Sequence, residues 1–503
     1  MRINQHNRDF FEYHHKTFQR LTFDDVLLPT QYSDVLPSQI NLETMLSTNI
    51  GLKIPVISAD MDTVTEWEMA QALAMQGGIG MLWQSPDISD QEGWIDRVKY
   101  AFNVKIDNPA TIQQDKSIGY AKEILAKFGN KFSTLVVLDE NGKVAGLLTK
   151  DKTQFSSNPD DKISNFMIKF EKLTVHEGNL DLNEAYTLMK KEHVPKLILI
   201  DKDRNLNGLY CWTNVQSLVE RKNINYNLDE RGQLRVGANV GVHDYERAER
   251  LLKKNCDVLL VGTAHGYSKN VIETVKELKA NFSGYKFDII AGNVVTYEGA
   301  KALFEDGADA VKVGVGPGRI CDTRVIAGVG GPQISAIFEC AKAAEEYNKP
   351  IIADGGIKYS GQITKALAAG ADTVMMGGVF ASAIESPEEK FMVDGIWFKP
   401  YRGMGSEGAM KENKTGKRYG ATAGGKTVPE GVEGKVELVG GVEQIVYNFM
   451  GGLRQGMGYI GARTIPELWE KGKFIRVTSA GDQEGHPSVD MVKEPPNYQI
   501  RKK

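Results

Sequence analysis

From Arg235 onward the chain alternates short apolar runs with longer stretches in which apolar residues recur at helical spacing. The runs are Arg235–Val240, Asp257–Val261, Asp288–Gly292, Asp309–Val313, Pro350–Asp354 and Asp372–Met376, and each ends in or near Gly or Asp. Between them, Asp244–Lys254, Ser268–Lys279, Glu298–Glu305 and Gln333–Tyr347 are expected to be helices. The runs do not alternate polar with apolar positions, which predicts strands buried on both faces, as in a parallel sheet covered by helices. An earlier run, Ile54–Ala59, leads into a helix over Glu66–Gln76 and supplies a first strand. With one further strand that the pattern does not locate, the strands approach the number that closes a barrel. The predicted fold class is α/β, a (β/α)8 TIM barrel rather than an open doubly wound sheet, with its site at the C-terminal strand ends.

Between Val104 and Asn225 the texture changes: glycines thin out, and Lys, Asp and Asn rise. Two similar halves follow. Ser117–Lys127, Thr134–Asp139, Asn141–Gly142 and Val144–Thr149 read helix, strand, turn, strand. Asn183–Glu192, Lys196–Asp201, Lys202–Asn205 and Leu206–Cys211 repeat that order. The repeat predicts a small α+β domain, residues 104–225, inserted between barrel segments 1–103 and 226–503.

Composition narrows the class. The chain has 503 residues, 41% hydrophobic and 25% charged, with a net charge of −4, which gives no reason to expect nucleic acid or an anionic membrane as partner. No stretch approaches the ~20 apolar residues of a membrane span, and residues 1–20 lack the apolar centre of a secretory signal. The cysteines, Cys211, Cys256, Cys321 and Cys340, form no CxxC pair; a reducing, cytoplasmic setting is expected.

The densest candidate chemistry is Val313–Gln333, VGVGPGRICDTRVIAGVGGPQ. Its glycines let backbone groups approach a ligand closely. Taken alone, such a loop is usually a turn, and a cysteine is more often a buried hydrophobe than a nucleophile. Here, however, Cys321 follows a strand end, with a hydroxyl at Thr323 and cations at Arg319 and Arg324 that favour a thiolate.

That segment resembles the catalytic loop of the IMP dehydrogenase and GMP reductase family. Leu21–Pro29 (LTFDDVLLP), Ser58–Glu66 (SADMDTVTE), Gly77–Gly80 (GGIG), Ala291–Thr296 (AGNVVT), Asp354–Ile357 (DGGI) and Tyr401–Gly405 (YRGMG) resemble the family's other signatures. The inserted repeat resembles its pair of CBS modules, which implies an ATP- or GTP-type nucleotide there. The resemblance implies NAD-dependent oxidation of inosine 5′-monophosphate (IMP) to xanthosine 5′-monophosphate (XMP). The Cys321 thiolate attacks C2 of the purine, hydride leaves for the nicotinamide, and water hydrolyses the thioimidate. It also implies an Arg418–Tyr419 pair on a mobile flap over about 406–435 that activates the water, with Thr323 and Glu430 in the proton relay. Residue chemistry alone reads Lys417–Tyr419 as a solvated turn, since an arginine is a poor base at a pKa above ~12.

For the substrate, the resemblance implies Ser58, Asn293, Arg319, Asp354, Gly355, Gly356, Gly377, Gly378, Tyr401, Gly403, Met404, Gly405 and Glu430, with Asp354 on the ribose. For the cofactor it implies Gly262, Thr263, Gly314, Val315 and Gly316. For a potassium ion (K+) it implies Gly316, Gly318 and Cys321, joined by Glu484, Gly485 and His486 of a neighbouring subunit in a homotetramer or octamer. Asp354 alone also reads as a turn cap before Gly-Gly.

Several positions depart from the family pattern. Arg319 and Gly378 stand where serines are usual, Gly262 replaces an aspartate, Asp322 replaces a small or apolar residue, and Trp83-Gln84-Ser85 is atypical. A guanidinium at 319 is expected either to compensate as a bidentate phosphate clamp or to pair only with Asp322. Three other readings follow. Gly378 leans toward GMP reductase, whereas Arg418-Tyr419 and Val428–Gly434 (VPEGVEG) belong to a hydrolytic step. A related purine nucleotide is a second substrate class. A catalytically silent nucleotide sensor is the third, opposed by the joint presence of Cys321, Thr323, Arg418 and Tyr419.

Overall fold

The computed structural model describes residues 2–101, 105–106, 109–127, 134–220, 225–412 and 428–489. By contacts it divides into two compact units: Met1–Lys99, Asn225–Asn227 and Leu234–Lys503 form one, and Tyr100–Ile224 with Leu228–Gln233 the other.

The larger unit is a closed barrel of eight parallel strands: β1 (Val56–Ser58), β2 (Ile79–Leu82), β3 (Gly237–Asn239), β4 (Val258–Gly262), β5 (Asp288–Val294), β6 (Ala310–Val313), β7 (Ile351–Asp354) and β8 (Thr373–Met376). They pair in chain order, and β8 closes on β1 through Val374 opposite Val56. The strand without a sequence assignment is β2, Ile79–Leu82, inside the GGIGML stretch. Helices α1 (Trp67–Met75), α2 (Ile88–Ala101), α3 (Tyr245–Lys253), α4 (Lys269–Asn281), α5 (Tyr297–Glu305), α6 (Gln333–Tyr347), α7 (Ser360–Ala368) and α8 (Val442–Ile460) follow the strands.

Alternate residues point inward, and Ile57, Met81, Leu260, Ile290, Ile352 and Met375 fill the barrel. Their neighbours pack on the helices, so every position of β4 and β5 is buried. A hairpin of Thr44–Met45 and Gly51–Leu52 closes the N-terminal end with Leu46, Ile50 and Leu52. Ser47 Oγ donates to Asp288 Oδ2 at 2.6 Å, and the Asn49 amide donates to the same oxygen at 2.8 Å.

The aspartates that open several apolar runs have one recurring job. Asp257, Asp309 and Asp372 accept from the backbone N–H of Val236, Ile289 and Ile351, at or just before the start of the preceding strand, at 2.8, 2.9 and 2.8 Å. Each has a cation: Lys99 for Asp257, Lys279 for Asp309 and Arg2 for Asp372. A short carboxylate thus ties neighbouring strand starts where the ladder runs out of partners.

The smaller unit repeats itself. Thr111–Gln113, Ile118–Lys127, Thr134–Leu138 and Val144–Thr149 form one strand–helix–strand–strand half, and Val175–Glu177, Leu182–Glu192, Lys196–Ile200 and Leu206–Cys211 the other. Ile168–Lys169 edges the first sheet and Lys105–Ile106 the second. Asp181 caps the second-half helix by accepting from Asn183 and Glu184 amides, while Glu184 Oε2 accepts from the Asp181 amide. Val136, Val144 and Leu147 of one half pack with Ile198, Ile200 and Leu209 of the other. Among the described residues no helix is long and apolar enough to cross a membrane.

Lys99 is buried against Asp257 at 2.6 Å. Lys99→Met leaves the buried Asp257 carboxylate with only the more distant Arg235, 4.0 Å away, as its cation and should cost up to about 3–5 kcal/mol, read as a lower urea midpoint. Adding Asp257→Asn should recover part of that loss; equal stability of Lys99→Met and the parent contradicts the assignment.

Candidate active site

At the C-terminal end of the barrel the inward-facing residues turn from apolar to polar. On β6, Ala310 faces the core and Lys312, two residues on, reaches the barrel mouth. Its ammonium is 2.6 Å from Asp354 Oδ2 at the end of β7 and 3.7 Å from Asp60 Oδ1 just beyond β1. Asn239 at the end of β3 donates to the other Asp60 oxygen. Asn293 on β5 donates to Asp354 Oδ2 at 2.8 Å and to the Gly314 carbonyl at 2.7 Å. Lys312 is 3% exposed and Asp60 2%, so this floor carries buried charge held by paired partners rather than by water.

The Gly-rich loop after β6 is seated on that floor. Gly314 has φ +141° and passes so close to β7 that a Cβ there would lie 2.3 Å from the Asp354 carbonyl oxygen. Gln333, at the start of α6, donates from Nε2 to the carbonyls of Val313 at 2.9 Å and Asp354 at 3.0 Å. Gly316, at φ +79°, turns the loop back over Arg324, which a Cβ would strike at 2.5 Å. Arg324 was expected to act as a cation beside the thiol. It also braces the loop: Nε donates to the Val315 carbonyl at 3.0 Å, and the guanidinium also meets the Gly331 carbonyl. Burial lowers its pKa, and the nearby Cys321 opposes that shift.

Cys321 is partly exposed at the cavity wall, and its Sγ lies 3.2 Å from Oγ1 of the buried Thr323. The hydroxyl is placed to hydrogen-bond the sulfur and to relay a proton to or from it. The opposite wall comes from an antiparallel sheet of Phe391–Val393, Ile396–Arg402 and Glu433–Glu437. Tyr401 pairs with Gly434, the Gly403 amide donates to Val432, and the Glu430 amide donates to Gly405 at 2.9 Å. The Val432 amide also donates to the Ile320 carbonyl at 2.9 Å, which ties this wall to the cysteine loop. Burial, reinforced by Asp354 and Cys321, pushes the Tyr401 phenol well above its ordinary pKa, so it faces the cavity as a neutral hydroxyl.

One cavity gathers Cys321, Thr323, Glu430, Asn293, Asp354, Gly355, Gly377, Tyr401, Gly403, Met404, Gly405, Thr263, Gly314, Val315, Gly316 and Gly318. Other expected residues lie off its lining. Ser58 is fully buried behind it, its Oγ accepting from Thr65 at 2.9 Å. Gly262 ends β4 in register with Gly292, and Gly356 packs against Phe23. Arg319 and Gly378 lie beside each other at the rim. Glu484 ends the helix Ser479–Glu484, with Gly485 and His486 following in the turn beyond it. Arg418 and Tyr419 fall outside the described residues. Sequence reasoning passed over Lys312 and Asp60. The signal for Lys312 was a lone lysine inside the otherwise apolar strand AVKV.

The other thiols are built differently. Cys211, Cys256 and Cys340 are buried. Burial, aided by Asp257, pushes Cys256 up to about 12, and burial raises Cys340 further. A raised thiol pKa means the neutral, unreactive form at about pH 7 to about pH 9. Limiting iodoacetamide on native protein should therefore label the Cys321 peptide first. Labelling of Cys256 or Cys340 ahead of it, read by peptide mass spectrometry, contradicts this ordering.

A family model described as the IMP dehydrogenase / GMP reductase domain matches residues 20–488. The inosine-5′-monophosphate dehydrogenase of Aquifex aeolicus is 48% identical over 492 residues, covering 96% of this chain and 99% of that protein. That of Bacillus subtilis is 44% identical over 483 residues, covering 95% and 98%. Among solved structures, a Trypanosoma brucei GMP reductase in complex with guanosine 5′-monophosphate matches with a TM-score of 0.86 at 38% identity, covering 94% of this chain and 98% of that one. With a closed barrel, a cysteine–threonine pair at its mouth and matches along nearly its whole length, this chain belongs to the IMP dehydrogenase / GMP reductase family.

Proposed function

We propose that this chain oxidises IMP to XMP, with NAD as hydride acceptor. The observation that carries the reading is a partly exposed thiol, Cys321, bonded to the Thr323 hydroxyl at the edge of a cavity floored by Asp354. Full-length relatives named as dehydrogenases support it. The Cys321 thiolate forms a bond to C2 of the purine, and C2–H leaves with its electron pair. The bound nicotinamide supplies the acceptor for that hydride. Water then adds to C2, and the C–S bond breaks to return the thiol and release XMP. Thr323 relays the proton that Cys321 gives up: its hydroxyl accepts from the thiol as it passes its own proton on toward the Glu430 carboxylate, and the reverse relay restores the thiol.

Substrate placement falls to the floor. Lys312 and Asn293 both hold Asp354 Oδ2, which leaves Oδ1 for the ribose hydroxyls. Tyr401 offers a hydroxyl, and Gly355 and Gly377 offer backbone at the ends of β7 and β8, where barrels commonly seat a phosphate. Arg319, Gly356 and Gly378 extend that seat at the rim. Gly403, Met404, Gly405 and Glu430 face the base. Thr263 and Gly314–Gly316, on the cavity wall with Cys321, fit the cofactor side, and position 262, a glycine, brings no carboxylate of its own. The carbonyls of Gly316, Gly318 and Cys321 would hold K+: they are hard oxygen donors on a loop turned back by the positive φ of Gly316. Glu484, Gly485 and His486 would join them from a neighbouring chain of a tetramer or octamer. Arg418 and Tyr419 activate the water, and the smaller unit takes an ATP- or GTP-type nucleotide. A cytoplasmic setting suits a free thiol as nucleophile.

A GMP reductase activity is the second reading, favoured by Gly378 and by the similarity to the Trypanosoma brucei structure. Absorbance of the reduced cofactor separates the two. NADH should appear with IMP and NAD, and GMP with NADPH should be silent; the reverse overturns the proposal. Arg418→Ala should give a burst of NADH close to one per site, followed by turnover slowed at least about tenfold. An unchanged steady-state rate contradicts the role of Arg418.

A further inference from the structure

Asp60 lies just beyond β1 but reaches across the barrel mouth. Its carboxylate accepts from Asn239 Nδ2 at the end of β3, and the Lys312 ammonium of β6 stands 3.7 Å from its Oδ1. Asn239 is in register with Leu260 of β4, the strand that ends in Gly262 and leads into Thr263. The Asp60 carboxylate is therefore turned to the β3–β4 side of the mouth, whereas Asp354 stands at the end of β7. The two acids share one cation unequally, for Lys312 lies 2.6 Å from Asp354. Both acids line the same cavity as Thr263. Among the described residues of that lining, three carboxylates, Asp60, Asp354 and Glu430, face one ammonium, Lys312. Asp60 is 2% exposed, so water screens its charge little and its field acts on whatever fills the cavity above it. A nicotinamide ring is cationic when oxidised and neutral once it has taken a hydride. A carboxylate at the floor attracts the first form and gains nothing comparable from the second.

We infer that Asp60 sets a charge preference on the cofactor side, so that the cavity holds the oxidised, cationic nicotinamide more tightly than the reduced, neutral one. This rests on the nicotinamide-cofactor reading above and deepens it. The same field opposes reduction of the ring and hastens departure of the reduced form afterwards.

The test is calorimetric binding of NAD and of NADH, on a Cys321→Ala background with IMP present, where no hydride moves. With Asp60 in place, NADH should bind more weakly than NAD. Asp60→Asn keeps the shape and removes the charge. It should weaken NAD roughly 5- to 50-fold, the range for one charge several ångströms away in a medium of intermediate polarity, and leave NADH within about twofold. Asp60→Glu, which keeps the charge, should retain the preference for NAD. A role confined to packing would weaken both forms alike. Thermal melts check that each variant is folded, and the comparison of NAD with NADH at an unaltered position 60 stands even where Asp60→Asn is not. Equal or tighter binding of NADH with Asp60 in place, equal losses of both forms in Asp60→Asn, or an undiminished NAD affinity in that variant each overturn the inference. Binding of IMP with neither form of the cofactor would instead sink the cofactor reading, and the inference with it.

Discussion

Asp354 is the residue around which the barrel mouth is assembled. One carboxylate oxygen receives both the Lys312 ammonium and the Asn293 amide, while its carbonyl receives Gln333. The same carbonyl sets how closely the cysteine loop approaches, since Gly314 passes where no side chain fits. Three strand ends and the start of α6 are thereby locked to one residue. Lys312 is buried while Asp354 is partly exposed to the cavity, and such a pair is a poor source of net stability, with Asp60 3.7 Å away as the second carboxylate on the same ammonium. Its value is positional: the thiol of Cys321, seven residues beyond Gly314, inherits its place from this anchor.

Reactivity follows from contrast in burial. Cys256 and Cys340 are enclosed and neutral, whereas Cys321 sits at the cavity wall beside a hydroxyl. The opposing sheet contributes through backbone geometry as much as through side chains. Pairing of Tyr401 with Gly434 and of Gly405 with Glu430 carries a carboxyl to the cavity, and the bond from Val432 to Ile320 fastens that wall to the cysteine loop.

Much of this was legible in the sequence because burial on both faces writes a strand as an uninterrupted apolar run. Strands β6 to β8 fall within the runs that Asp309, Pro350 and Asp372 open, and β4 and β5 begin in the runs that Asp257 and Asp288 open and extend past them to Gly262 and Val294. The aspartates themselves were legible as boundaries but not as ties, since their partners lie on neighbouring strands and on distant cations. Strand β2 escaped because its apolar run follows two glycines and is interrupted at its second position by Gly80, which packs against Ala70. Lys312 escaped because its meaning depends on two carboxylates, 42 residues ahead at Asp354 and far behind at Asp60. Arg324 was read by its charge, whereas its geometry spends the guanidinium on two loop carbonyls. The hairpin plugging the barrel floor carries no motif, only three apolar residues around a polar turn.

The central claim is a covalent bond between the Cys321 sulfur and a purine carbon. Protein mixed with IMP and NAD, quenched in acid within the first turnover and digested, tests it by mass spectrometry. The account predicts the mass of the nucleotide, less two hydrogens, on the peptide that contains Cys321, and no such mass when NAD is left out. NADH formed at full rate with every Cys321 peptide unmodified would contradict it.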